Sequence, residues 1–242
     1  MNIMRNHFTI KMAGLIIEID SVSPRACIHC MHYLHEGNPD FCIKVTEEDI
    51  DREYKESDGC RHNAVSAETT AVYRKIVEKL IDYDVILMHG AVIAVGENAY
   101  MFSAPSGTGK TTHIKLWLRN VKDSFVINGD KPLIRINKDN LIACGTPWSG
   151  NEGMGTNTML PLKSIVFMER SEENSIREIP FSQAYPYIIR QTYLPRDNER
   201  AKRTLSLVSS MYGKASFWLF SCNNFAPDCF MKSYNALIND GK

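Results

Sequence analysis

Apolar residues dominate positions 8–20 and are interrupted at Gly14, which predicts an opening strand or a hairpin turning near Ala13-Gly14. Pro24 suits a first helical turn and opens a short helix to about residue 35. Residues 41–45 alternate again as a strand. The stretch 46–63 is polar and acidic and reads as a solvated excursion. It is the best internal boundary, and the chain divides there into a β-α subdomain over 1–65 and a core over 66–242. Ser66-Ala67-Glu68-Thr69 has the composition of a helix start, and Val72, Ile76, Val77, Leu80 and Ile81 continue it at helical spacing.

The apolar run over 85–95 reads as one buried strand interrupted at His89-Gly90, returning through Gly96-Glu97-Asn98 into a second strand over 99–103. A Gly/Ser/Thr-rich loop and a helix over 110–118 follow. Strands over 125–127, 133–136, 141–143 and 164–168, helices over 182–193 and 197–212, a strand over 215–220 and a helix after Pro227 complete the pattern. The fold class is α/β, with a mixed sheet containing several antiparallel pairs rather than a βαβ alternation. No internal repeat or low-complexity tract is present.

Composition narrows the function classes. The 242 residues carry 28 Lys+Arg against 28 Asp+Glu and are 44% hydrophobic. This is an ordinary globular balance, which excludes a disordered tail, a collagen-like chain and a strongly basic nucleic-acid binder. With no net charge, an anionic ligand must be held by local geometry. No segment reaches the roughly 18 apolar residues of a membrane span, and the N-terminus lacks the pattern of a signal peptide. Seven cysteines, an odd number, do not build a disulfide framework. A reduced cytoplasmic setting is expected, without membrane or nucleic-acid partners.

The candidate chemistry centres on Ser103-Ala104-Pro105-Ser106-Gly107-Thr108-Gly109-Lys110-Thr111-Thr112. It matches the phosphate-loop pattern G-x-x-x-x-G-K-[ST] except for Ala104 in place of the first glycine, and it lies between a strand and a helix as that chemistry requires. Gly107 and Gly109 permit left-handed backbone angles, so successive amides of Ser106, Gly107, Thr108 and Gly109 turn inward around a phosphate. The helix adds its free amides at Lys110, Thr111 and Thr112 and the positive end of its dipole. Lys110 would reach the β- and γ-phosphates, and the Thr111 hydroxyl would coordinate Mg²⁺. Ala104 is tolerated if its φ is negative. Phe125-Val126-Ile127-Asn128-Gly129-Asp130 places a carboxylate at a strand end, where it would bind Mg²⁺ or accept a proton from a hydroxyl. The plainer alternatives are a helix cap with a chance lysine and a Gly-Asp turn.

His89-Gly90-Ala91-Val92, the 106–112 run and Asn128-Gly129-Asp130 together resemble the HPr kinase/phosphorylase and ATP-dependent PEP-carboxykinase superfamily. Within it, the chain is similar to small bacterial HPr-kinase-like proteins, some of which phosphorylate serine on ribosomal peptides. Gly145-Thr146-Pro147-Trp148-Ser149-Gly150-Asn151-Glu152, followed by Asn157, fits that subgroup, and residues 85–170 carry the resemblance. It implies a PEP-carboxykinase-like phosphate-loop core with C-terminal helices and a small N-terminal appendage. It further implies an ATP- and Mg²⁺-dependent kinase acting on serine of a peptide or protein, from a family whose kinases assemble into oligomers. Lys110 would serve the phosphates, His89 would lie near the reacting phosphate, and Asp130 would match the second of two adjacent acids. Gly129 stands where the first acid is expected, so Asp130 must serve as base and metal ligand alone or be helped by a residue such as Glu152. The loss of one acid also keeps a non-catalytic nucleotide-binding scaffold in view. A carboxykinase is disfavoured because the chain is short for that family's full site.

Other groups carry less. Cys27, His29, Cys30, His32 and His35, with Cys42 nearby, crowd one short stretch in which a shared zinc tetrahedron is awkward. The long 145–158 loop, with Trp148, Asn151, Glu152 and Asn157, is either a surface connection or a ligand-facing segment. Arg190, Arg196, Arg200 and Arg203 lie on the C-terminal helices, where most are expected to be solvated or paired, the alternative being that one of them stabilises a transferring phosphate.

Overall fold

The computed structural model describes residues 6–56, 64–150, 152–223 and 226–239. They form two compact units, one up to Tyr83 and one from Asp84 onward.

In the first unit β1 (His7–Met12) and β2 (Leu15–Asp20) pair antiparallel. Their two-residue turn, Ala13 at φ 52° and Gly14 at φ 79°, has the left-handed pair of residues that matches the strands' twist. The helix expected over 24–35 is shorter. It consists of α1 (Arg25–His29) and a 3₁₀ turn over Met31–Tyr33, with Cys27 and Cys30 buried. β3 (Phe41–Lys44) then pairs parallel to β2. The excursion expected over 46–63 is instead largely a helix, α2 (Glu47–Glu56), and 57–63 lie outside the described residues. Glu47, Glu48 and Asp49 fill its first turn, where the helix dipole favours anions. Asp49 accepts bonds from the Thr46 amide and hydroxyl, each 2.9 Å. α3 (Ala64–Leu80) follows and holds α2 through Lys75–Asp49, at 2.7 Å, and Arg74–Glu53. α3 packs on α1, α2 and β3, so the units divide after Tyr83 and not at residue 65.

The second unit continues with β4 (Val85–Leu87), β5 (Ala91–Val95), β6 (Asn98–Ser103), α4 (Lys110–Asn120) and β7 (Phe125–Asn128). After these come β8 (Leu133–Ile136), β9 (Leu141–Cys144), β10 (Met159–Arg170), β11 (Ser175–Glu178), α5 (Phe181–Gln191), α6 (Asn198–Ser209), β12 (Ser216–Cys222) and α7 (Cys229–Tyr234). The strands form one mixed sheet in the order β4-β8-β9-β10-β6-β5-β7, with β12 also on β10 and β11 beyond it. The start of β10 pairs antiparallel to β9, while its remainder runs parallel to β6 and β12. The single strand expected over 85–95 is two, because the chain leaves β8's side after β4 and re-enters the sheet as β5 beside β6 and β7. Behind α4 the core is aromatic: Trp117 and Phe102 are fully buried, and the Trp117 indole donates to His113 Nε2 at 3.1 Å. No helix among the described residues is long and apolar enough to cross a membrane.

Candidate functional site

Sheet register decides which residues meet. β5 is antiparallel to β6 and to β7, with Ala91 opposite Phe102 and Val92 opposite Asn128. The residues just before β5, just after β6 and just after β7 therefore emerge at the same end of the sheet. They are His89, the 104–109 turn and Asp130. The Gly90 amide donates to the Asp130 carbonyl at 3.0 Å and the Ser103 hydroxyl to the His89 carbonyl at 2.7 Å, which ties the three together.

They border a cleft of about 520 Å³. His89, Ser106, Gly107, Gly109, Lys110, Thr111, Thr112 and Asp130, all expected from the sequence, line it. Thr108 does not; its hydroxyl donates to the Pro105 carbonyl at 2.9 Å and it lines a neighbouring cleft. Gly107 sits at φ 78° with open space where a Cβ would project, so backbone angle rather than crowding demands glycine there. Positive φ among the described non-glycine residues is confined to Ala13, Asp84 and Asp123, so Ala104 needs no glycine.

Gly109, left-handed at φ 111°, is the N-cap of α4 and brings no side chain of its own to that end. The first i→i−4 bond runs from the His113 amide to the Gly109 carbonyl at 3.0 Å. The amides of Lys110, Thr111 and Thr112 thus precede the helical ladder, at the positive end of the dipole. Lys110 is only 8% exposed. Its Nζ folds back along the turn and donates to the carbonyls of Ala104, 2.8 Å, and Pro105, 3.4 Å. Burial lowers its pKa, against the opposing pull of the Asp130 charge.

Asp130 presents Oδ1 to His89 Nε2 at 3.3 Å and Oδ2 to Lys131 Nζ at 3.8 Å. The bond from His89, helped by the charges of Lys131 and Lys110, outweighs burial and holds the carboxyl below its usual pKa. His89 is oriented from behind by Gln191, the last residue of α5. Its Nδ1 lies 2.9 Å from Gln191 Oε1, and its amide donates to the Gln191 carbonyl at 2.7 Å. Nothing in the sequence couples residue 191 to residue 89; the pairing exists only because α5 returns to the end of β4.

The glycine-rich 145–158 loop closes the cleft's other side. Buried Asn128 fastens it: Nδ2 donates to Thr146 Oγ1 at 2.9 Å, while Oδ1 accepts the amides of Asp130, 2.9 Å, and Lys131, 2.7 Å. A Cβ on Gly129 would stand 2.8 Å from the Ser149 carbonyl oxygen and 3.2 Å from that of Met154. Where the resemblance expects a first acid, this chain has packed the backbone of its own loop. Gly129→Ala is therefore expected to lower stability by about 1–3 kcal/mol, the usual cost of overpacking. Urea denaturation measures it, and an unshifted midpoint would show that the loop does not press on this position.

Ser149, Gly150, Glu152 and Met154 line the cleft; Trp148 is buried, Asn157 is not part of the lining, and Asn151 lies outside the described residues. Glu152 pairs with Lys115 Nζ at 2.8 Å, both side chains half exposed. None of Arg190, Arg196, Arg200 and Arg203 lines the cleft, and Arg203 instead pairs with Asp84 at 2.6 Å. The arginine that does reach the 104–109 turn is Arg170, at the end of β10, which donates to the Gly107 carbonyl. Its place followed from no sequence signal.

No family model matches the sequence, and no curated protein is similar to it. Among solved structures, the chain is similar to the Hpr(Ser) kinase/phosphatase from Coxiella burnetii, at 9% identity and a TM-score of 0.39, covering 64% of this chain and 99% of that one. A likeness of that degree carries no functional weight, and what the cleft does is read from its own residues.

Proposed function

We propose that the protein is a kinase that transfers the γ-phosphoryl group of ATP to a serine hydroxyl of a peptide or protein. The observation that carries this reading is the convergence, in one cleft, of the N-terminus of α4, buried Lys110 and the Asp130 carboxylate. Amides 106–112 would cradle the phosphates, and Lys110 would exchange its two carbonyl partners for phosphate oxygens.

The donor set fits Mg²⁺. Thr111 and Asp130 offer one hydroxyl and one carboxylate in the same cleft, and among the described residues no three His, Cys, Asp or Glu side chains gather as a metal cage. Magnesium characteristically takes one or two protein oxygens and completes its shell with water and phosphates. When bound, the ion would neutralise charge on the phosphates.

Asp130, ionised because His89 and Lys131 face it, would accept the acceptor hydroxyl's proton. The hydroxyl oxygen forms its bond to the γ-phosphorus as the bond to the β–γ bridging oxygen breaks, and ADP leaves with that electron pair. His89, held by Gln191, keeps the carboxylate oriented through Nε2. The crowding at Gly129 favours a second reading, a nucleotide-binding scaffold without transfer, because no second acid fits there. Incubation with Mg-ATP and a serine peptide library separates the two. A mass gain of one phosphoryl group on a peptide is the expected result, and nucleotide binding without any such gain would select the scaffold.

A further inference from the structure

Two thiols outside the cleft of His89 and Asp130 meet in the core. Cys222 is the last residue of β12 and Cys229 the first of α7, and their side chains are hydrogen-bonded to each other. Both belong to the aromatic core behind α4, Cys222 at 3% exposed and Cys229 fully buried. Cys222 nevertheless borders the smaller cleft, of about 390 Å³, beside Thr108 and Arg170. A small oxidant in that space therefore meets Cys222 first.

A run of donors ends on the same sulfur. The Trp117 indole N–H can only donate, so His113 Nε2, 3.1 Å away, is an acceptor, also toward the Ser233 hydroxyl at 3.0 Å. The neutral imidazole then carries its proton on Nδ1, which lies 3.6 Å from Cys229 Sγ. Cys229 in turn gives its thiol hydrogen to Cys222. That bond lowers the Cys222 pKa against the opposing effect of burial, and the same bond, with burial, raises that of Cys229. The two sulfurs are unequal: Cys222 is the readier thiolate, and Cys229 keeps its proton. Other thiols are set the opposite way. The bond that exposed Cys42 donates to Glu18 pushes its pKa up, and burial pushes Cys144 up to about 12.

We propose that Cys222 and Cys229 are a peroxide-oxidisable dithiol, in which Cys222 reacts first and Cys229 resolves it to a disulfide. The Cys222 sulfur attacks one oxygen of hydrogen peroxide, the O–O bond breaks, and the other oxygen leaves with that electron pair and the Cys222 proton as water. This makes Cys222 a sulfenic acid. The Cys229 sulfur then attacks the Cys222 sulfur. The S–S bond forms, the S–O bond breaks, and hydroxide leaves with the Cys229 proton as a second water. His113 Nδ1–H steadies the Cys229 sulfur as that proton departs. Two thiols are oxidised and one peroxide is reduced. In a reducing setting such a disulfide is transient and serves redox sensing. Neither Lys110 nor Asp130 takes part, so the inference stands apart from the kinase reading.

Equimolar hydrogen peroxide on the full chain, then iodoacetamide after unfolding and peptide mass mapping, tests this. A Cys222–Cys229 disulfide reversed by dithiothreitol is expected, with Cys222 oxidised about tenfold or more faster than Cys42. In urea-unfolded chain that preference is expected to vanish. In Cys229→Ser, dimedone is expected to trap Cys222 as its sulfenic acid, and in Cys222→Ser, Cys229 is expected to remain a thiol. Cys222 and Cys229 both still alkylated after Cys42 has been consumed, or the same preference in the unfolded chain, overturns the dithiol. A sulfenic acid on Cys229 in Cys222→Ser, formed as fast as wild-type Cys222 reacts, overturns the order of attack.

Discussion

Lys110→Ala is expected to abolish measurable ATP binding while the protein stays folded. A hydrogen bond to a charged group is worth about 1.5–3 kcal/mol, so losing two such bonds to phosphate weakens affinity by roughly a hundredfold or more. The folded state responds differently. The Lys110 ammonium is buried against two carbonyls in a chain with no net charge to favour or oppose it, and its removal relieves the burial that lowers its pKa. The same removal strips a donor from the Ala104 and Pro105 carbonyls, so the net change in melting temperature is expected to be small. Lys110→Arg is not expected to rescue binding, because a planar fork does not fit where a compact ammonium folds back along the turn. Calorimetry decides, and undiminished ATP affinity in the alanine variant rejects the phosphate assignment of the 104–109 turn.

What the sequence revealed and what it hid divide along one physical line. The Ala13-Gly14 turn, the strand–turn–helix around Gly107 and Gly109, and the carboxylate at the end of β7 are local. Each depends on residues adjacent in the chain whose backbone angles or periodicity leave a direct mark. α2 was hidden because it is strongly polar, with Ile50 and Tyr54 its only large apolar residues, and its support is ionic and tertiary, from Arg74 and Lys75 on α3. The interruption at His89-Gly90 was legible, but not that it divides β4 from β5, because both halves are apolar and only pairing with different neighbours separates them. Gln191 and Arg170 reach the cleft through returns of α5 and β10, so their roles depend on register that no local pattern encodes. Gly129 was noticed as a missing acid, yet its cause is legible only from the Ser149 carbonyl that lies against it.

Asp130→Asn is expected to lower phosphoryl transfer by about 10²–10⁴-fold, the usual worth of a positioned general base, while ATP affinity changes far less. The amide keeps the side chain's shape beside His89 and Lys131 but takes up no proton from a hydroxyl. The pH profile supplies a second readout. Because the Asp130 pKa is lowered in the folded protein, its carboxylate persists at neutral pH, and wild-type transfer should decline with acid only as pH falls through that lowered value. The sign for stability is the same. The favourable contact with His89 and Lys131 is fully present above the unfolded carboxylate pKa of about 3.9 and disappears as pH falls through the folded one. The asparagine variant lacks this acid-side loss, so its stability should fall less steeply than wild type over that range. Wild-type turnover by Asp130→Asn would remove the carboxylate from the chemistry. Since Gly129 leaves no room for a second acid on the same turn, Glu152 of the 145–158 loop would then be the remaining carboxylate lining the cleft.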